Sequence, residues 1–247
     1  MLEQLKLGKN IMNLLPDKNL IIVTSALAPN IGVIPNEERY KQTIDSLASL
    51  RKHFPNDIIF FTDGSPNEVD QNWLENISNH ADIMAVWHQD KDVNHYASGG
   101  MKSQAELVLL MKTINVLYNN PDLMSMMHSV KRIFKYSART VLLDEFDIKE
   151  YDGLFGKYVF KKAVPSWMPD EAKLMLTDHL YITRMYSLCP SLVKDYMATL
   201  MACLDNTNQG LDTEHAHHMN IDKQYVIEFD KLHCSGIMAS TGATEVY

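Results

Sequence analysis

Cysteine is scarce in this 247-residue sequence: only Cys189, Cys203 and Cys234 occur. Their spacing forms neither a CxxC redox pair nor a zinc-ligand pattern, which excludes a disulfide scaffold and predicts free thiols in a reducing, cytoplasmic setting. Long apolar runs are also missing, since none exceeds about six residues where a membrane helix needs roughly 20. The opening MLEQLKLGKNIMNLLPD lacks the apolar stretch and cleavage site of a signal peptide. A soluble chain without a membrane span is therefore expected. The formal charge is −8, which argues against broad nonspecific attraction to nucleic acid, although a local basic cleft would still bind it. No internal repeat, low-complexity tract or interdomain linker breaks the sequence. With 46% apolar residues, the chain is able to bury one substantial core as a single domain over residues 1–247.

What is present alternates between two periodicities. LIIVTS (Leu20 to Ser25) is a buried strand, and Tyr40, Ile44, Leu47, Leu50 and Phe54 then fall at helical spacing before Pro55. IIFF (Ile58 to Phe61) is a second strand that enters the turn Thr62-Asp63-Gly64-Ser65-Pro66. A helix over 71–79 and a strand over 82–87 continue a right-handed β-α-β-α-β arrangement. The polar stretch His88 to Gly100 is expected as a mobile loop, followed by a helix from Lys102 to Tyr118. LMSMMHSV is expected to be ordinary helix packing, and RIFKYS and TVLL are strand-like. Further on, YDGLFGKYVFKKAVPSWM reads as a strand or hairpin, HLYITRMYSL as another strand, and Pro190 opens a helix to about Leu204. The fold class is α/β with a mostly parallel central sheet.

Four constellations can carry chemistry. Asp63-Gly64-Ser65 sits at a strand end, where a carboxylate can accept hydrogen bonds from a base or ribose; its plainer reading is a polar turn. Lys135, Arg139, Asp144, Glu145 and Asp147 combine cations suited to a diphosphate with acids suited to a divalent metal, or else form a solvated strand edge with local ion pairs. Glu214-His215-Ala216-His217-His218 offers a general base or metal ligands, without the HExxH spacing of a zinc protease. Gly99-Gly100-Met101-Lys102-Ser103 precedes a helix and can present amides to phosphate, without a Walker A pattern. No nucleophile motif supports a Ser-His-Asp or Cys-His reading.

The order VTSALAP, EERYKQTIDSLASLRKHFPNDIIFFTDGS, the helix start Lys102-Ser103-Gln104-Ala105-Glu106, FKYSARTVLLDEFD, TEHAHHMN and SGIMASTG resembles a GT-A-type glycosyltransferase. It is similar in particular to a bacterial and viral group with a K-[IY]-S-[GA]-R-Y-type core. That resemblance spans about Leu20 to Gly242 and implies a Rossmann-like GT-A fold. Residues of about 20–145 would form the nucleotide-sugar-binding half and 146–247 the acceptor-side half.

The resemblance also implies roles. The donor is a nucleotide sugar, with Mn or Mg as the metal where one is used. Thr24, Ser25 and Asp63 would contact the nucleotide, while Lys102, Lys135 and Arg139 would face the diphosphate or sugar. Asp144 would lie near a metal together with His217 and His218, and Glu214 would serve as late base. Two departures are visible: the acids read D-E-F-D rather than DxD, and Ala138 and Thr140 stand where the group usually shows glycine and tyrosine. The acceptor is a glycan or, for a virus-encoded enzyme, a hydroxymethylated or hydroxylated pyrimidine in DNA; Lys157, Lys161, Lys162 and Lys131-Arg132 are the cations for such a groove. Competing readings are a catalytically silent nucleotide-binding protein on the same fold and metal-dependent hydrolysis drawing on His88 or His95.

Overall fold

Leu20 to Val23 and Ile58 to Phe61 are each no more than 1% exposed. Strands with no polar face belong at the centre of a sheet covered on both sides, the usual setting of parallel strands. The computed structural model describes residues 5–7, 17–237 and 243–247. In chain order these form β1 (Leu5–Leu7), β2 (Lys18–Ser25), α1 (Asn36–His53), β3 (Ile58–Asp63), α2 (Gln71–Ser78) and β4 (Ile83–Val86). Next come α3 (Lys91–Ser98), α4 (Lys102–Asn119), α5 (Pro121–Met127), β5 (Val130–Ser137) and β6 (Thr140–Leu142). The second half holds β7 (Tyr158–Lys161), β8 (Val164–Pro165), α6 (Asp170–Met175), β9 (His179–Leu180) and β10 (Met185–Leu188). It ends with α7 (Val193–Asn208), α8 (Thr213–Asn220), β11 (Val226–Phe229), β12 (Cys234–Ile237) and β13 (Thr244–Val246).

The main sheet has eight strands in the order β1-β4-β3-β2-β5-β10-β7-β11. Strands β4, β3, β2 and β5 are mutually parallel, as are β7 and β11, whereas β1 and β10 run against their neighbours. Alternation along β2 sends Leu20 and Ile22 into one core with α4, α5, α7 and α8, and Ile21 and Val23 into another with α1 and α2. From β2 the chain steps outward through β3 to β4, then returns over α3, α4 and α5 to place β5 on the other side of β2. The strand order thus reverses between β2 and β5, and open α/β sheets form a crevice at the carboxyl ends of the strands flanking such a reversal.

Two expectations are corrected. Within residues 88–100, Lys91–Ser98 form a helix, α3, rather than a loop. The Asp90 carboxylate caps it by accepting from the amides of Asp92 and Val93, and a single apolar anchor, Val93, is fully buried. HLYITRMYSL is also not one strand. β9 pairs with β8, β10 joins the main sheet, and Tyr181 to Arg184 cross between them. The Tyr181 amide turns away from both sheets to donate to the Glu214 carbonyl at 3.3 Å, whereas the Arg184 carbonyl, accepting from the Ser137 amide at 2.9 Å, already continues the pairing of β10 with β5. The final residues of the SGIMASTG stretch, 238–242, lie outside the described residues.

Candidate functional site

A cavity of about 180 Å³ opens where the sheet geometry predicts, over the ends of β2 and β5. Thr24 and Ser25 supply one wall and Ser137, Ala138 and Arg139 another, while α4 closes a third side with Lys102, Ala105, Glu106 and Leu109. No side chain caps the first turn of α4; the Lys102 amide donates to the Gly100 carbonyl at 3.0 Å, and the next amides of that turn have no side-chain acceptor among the described residues. Gly100 makes the tight entry into α4 at φ 74°, and a Cβ there would stand 2.4 Å from Ile31 Cδ1. The positive φ is the demand that favours glycine, since the exposed Ile31 side chain is free to swing aside.

Below the cavity, buried groups hold its loops. Asp63 is fully buried and uses both carboxylate oxygens, accepting from the Leu27 amide and from the Ser65 amide, each at 2.9 Å. It therefore fixes residues 26–28 and 63–65 to each other. Arg39, 4% exposed, donates from Nε to the Ile34 carbonyl at 3.1 Å and from Nη1 to the Ala26 carbonyl at 3.4 Å, and it also lines the cavity. Burial lowers its pKa, opposed by the charge of Asp63. Lys135, 2% exposed, donates to the Thr183 carbonyl at 2.8 Å and to Ser137 Oγ at 3.1 Å, and it forms an ion pair with Glu106. Although burial acts to raise the Glu106 pKa, the charge and hydrogen bond of Lys135, with Arg184 adding to them, hold it below the usual carboxylate range.

The charge around the cavity is one-sided. Arg39, Lys102, Arg139 and Arg184 line it against a single carboxylate, Glu106, among the described residues. Burial, then the neighbouring Arg184 and Arg39, push Arg139 down to about 10, so it stays cationic at neutral pH while its like-charged neighbours act against it. Guanidinium groups crowded this way are relieved by an anion, and a planar fork suits phosphate oxygens.

Of the sequence-predicted residues, Thr24, Ser25, Lys102 and Arg139 meet at this cavity. Asp63 and Lys135 lie beneath it with internal partners. Asp144 is placed elsewhere: its side chain is 85% exposed and pairs with Lys52 of α1 at 2.5 Å. Asp147 caps a short 3-10 turn by accepting from the Lys149 amide. Glu214 accepts from Thr183 Oγ1 at 3.2 Å, and burial, followed by the charges of Asp212 and Glu106, raises its pKa. His217 lies within an aromatic cluster of Phe160, Tyr186 and Tyr196, and His218 Nδ1 bonds Thr177 Oγ1 at 2.8 Å. Since α8 packs in the core opposite that of α1, Asp144 and the two histidines sit on different faces of the sheet. Among the described residues no group of three or more His, Cys, Asp or Glu is placed to hold a metal ion. The donor set around the cavity does not fit the divalent cation that the GT-A resemblance implies.

Arg39, Arg184 and Glu106 are the site residues the sequence reading missed. Arg184 carried one signal, as the only cation inside the apolar run HLYITRMYSL. A Ser-His-Asp arrangement also emerges: Ser166 Oγ is 2.8 Å from His215 Nε2, and His215 Nδ1 is 2.7 Å from Asp212 Oδ1. Both Ser166 and His215 are buried, and Ser166 Oγ already accepts from the Met168 amide, so the trio braces α8 against the β8–β9 hairpin. The cations proposed for a DNA groove are mostly engaged. Arg132 is buried and donates to Ser187 Oγ and to the carbonyls of Leu154 and Lys157; Lys157 Nζ donates to the Gln224 carbonyl; Lys162 pairs with Asp230 at 3.8 Å.

No protein-family model matches this sequence, and no curated protein matches it. Among solved structures, the chain is similar to the mannosyltransferase Ktr4p from S. cerevisiae, with a TM-score of 0.50 and 9% identity over 93% of this chain and 73% of that one. Core-mannan synthase A from Aspergillus fumigatus, in its Mn/GDP form, aligns with a TM-score of 0.49 and 10% identity over 93% of this chain and 79% of that one. At such identity the likeness to Ktr4p is one of fold: an α/β, Rossmann-like GT-A architecture with a mostly parallel central sheet.

Proposed function

We propose that this chain is a nucleotide-sugar-dependent glycosyltransferase, with the donor seated in the cavity between the ends of β2 and β5. The observation that carries the reading is the convergence of Arg39, Lys102, Arg139 and Arg184 on one cavity at the point where the strand order reverses. In such a transfer an acceptor hydroxyl oxygen bonds to the anomeric carbon, the bond from that carbon to the diphosphate breaks, and the electron pair leaves with the diphosphate. Groups already aimed at the diphosphate meet that charge as it grows, without reorganising at the moment of reaction. Arg139 and Arg184 take this part, while Lys102 and the uncapped turn of α4 orient the phosphates. Thr24 and Ser25 border the nucleotide, and Asp63 acts by holding the loop around it.

Glu214 is the acceptor-side base in this reading. Its raised pKa improves its match to proton transfer near neutral pH, and Thr183 ties it to the segment that carries Arg184. A glycan hydroxyl is favoured over a DNA base as acceptor, because two of the cations named for a groove, Arg132 and Lys157, are engaged in contacts within the chain.

Thermal shift against a panel of nucleotide sugars tests the assignment, since a ligand bound only by the native state raises the melting temperature. A shift with one donor, and its loss in Arg139→Ala, is the expected outcome. No shift with any nucleotide sugar or free nucleotide would remove this function. Binding with neither transfer nor donor hydrolysis would instead favour a catalytically silent nucleotide-binding protein.

A further inference from the structure

Resting on the nucleotide-sugar reading, we infer that this site holds the donor diphosphate with cationic side chains and backbone amides and uses no divalent cation. The first ground is charge. Four cationic side chains face the cavity against one carboxylate, and that carboxylate is already neutralised by Lys135 beneath it. The diphosphate of a nucleotide sugar carries about two negative charges, so the side chains compensate it in full. A dication added there would sit among like charges in a partly desolvated space, where repulsion is poorly screened.

The second ground is the supply of oxygen donors. Even a magnesium ion that bridges phosphates takes one or two protein carboxylates. Asp63 has both oxygens bound to backbone amides. Glu106 is tied to Lys135, and releasing it would strand a buried ammonium without its partner. Asp144 points outward to Lys52. In place of such ligands stand Arg139 and Arg184, whose forks offer paired donors to phosphate oxygens.

Calorimetric titration of the full chain with GDP, UDP, ADP and CDP, in EDTA and again in excess Mn²⁺ or Mg²⁺, decides the matter. The expected result is that one nucleoside diphosphate binds in EDTA with a Kd within about threefold of its value with metal. Arg184→Ala should weaken that binding by roughly tenfold or more, and Arg184→Lys by less, because the charge remains while the fork is lost. Binding seen only with metal overturns the inference and leaves the nucleotide-sugar assignment standing. Binding under neither condition removes both. The comparison of EDTA with metal uses the unaltered protein, so it holds even where a variant fails to fold.

Discussion

His217 links acidity to the stability of the core. Its ring lies 1% exposed among Phe160, Tyr186 and Tyr196; Nδ1 bonds the Thr213 carbonyl at 2.8 Å, and Nε2 is buried without a partner. Burial, followed by the cationic Lys135 and Lys223 and opposed by the Thr213 bond and Glu106, lowers its pKa from 6.5 to about 4. The unfolded chain therefore takes up a proton as pH falls through 6.5, whereas the folded chain resists until about 4. Stability from this residue is complete above the ordinary histidine value and is lost as pH falls between the two. At about 1.4 kcal/mol per pH unit, the loss on going from pH 7 to pH 5 is about 2 kcal/mol. Urea unfolding at both pH values, for the unaltered chain and for His217→Phe, measures it. The variant is expected to be less stable at pH 7, because the Thr213 bond is gone, yet to lose about 2 kcal/mol less on acidification. The other titrating groups are common to both proteins, so equal losses would refute the reasoning.

Glu106→Gln leaves the buried Lys135 ammonium with only neutral partners and should lower unfolding free energy by about 3 kcal/mol, measured by denaturant titration at neutral pH. Asp63→Asn should loosen the loop that Leu27 and Ser65 anchor, costing roughly 2 kcal/mol and weakening donor binding in calorimetry; unchanged affinity would detach that loop from the site. Arg132→Met replaces three hydrogen bonds from a buried guanidinium and should destabilise by about 2–4 kcal/mol; a neutral result would show that apolar packing compensates for them. Asp144→Ala should alter neither melting temperature nor donor affinity, because its pair with Lys52 is exposed and faces away from the cavity.

Thr24, Ser25, Lys102 and Arg139 were legible in the sequence because each marks a boundary, the end of an apolar run or the start of a helical one, and boundaries of α/β units gather at the carboxyl edge of the sheet. Lys135 and Asp144 were misplaced because charge density in sequence says nothing about facing. Lys135 lies within β5, where alternation turns it beneath the cavity, while Asp144 lies beyond β6, which pairs outside the main sheet. Arg39 and Arg184 were missed for the converse reason. One is on the buried side of an otherwise polar helix start and the other in an apolar run, and only tertiary packing brings them together. Helix α3 escaped notice because a single buried valine leaves almost no periodic signal, the cap supplying the rest.

The crossing between β9 and β10 concentrates several contacts on two consecutive residues. The Thr183 carbonyl holds Lys135, its hydroxyl holds Glu214, the Arg184 side chain reaches the cavity, and the Arg184 carbonyl receives the Ser137 amide. The length of this segment is therefore fixed from both ends, unlike that of most surface connections. A one-residue insertion there would pull the proposed base and the phosphate-facing arginine out of step together, so length variation among natural variants of this chain should fall outside residues 181–184 and collect in connections that carry no such double duty.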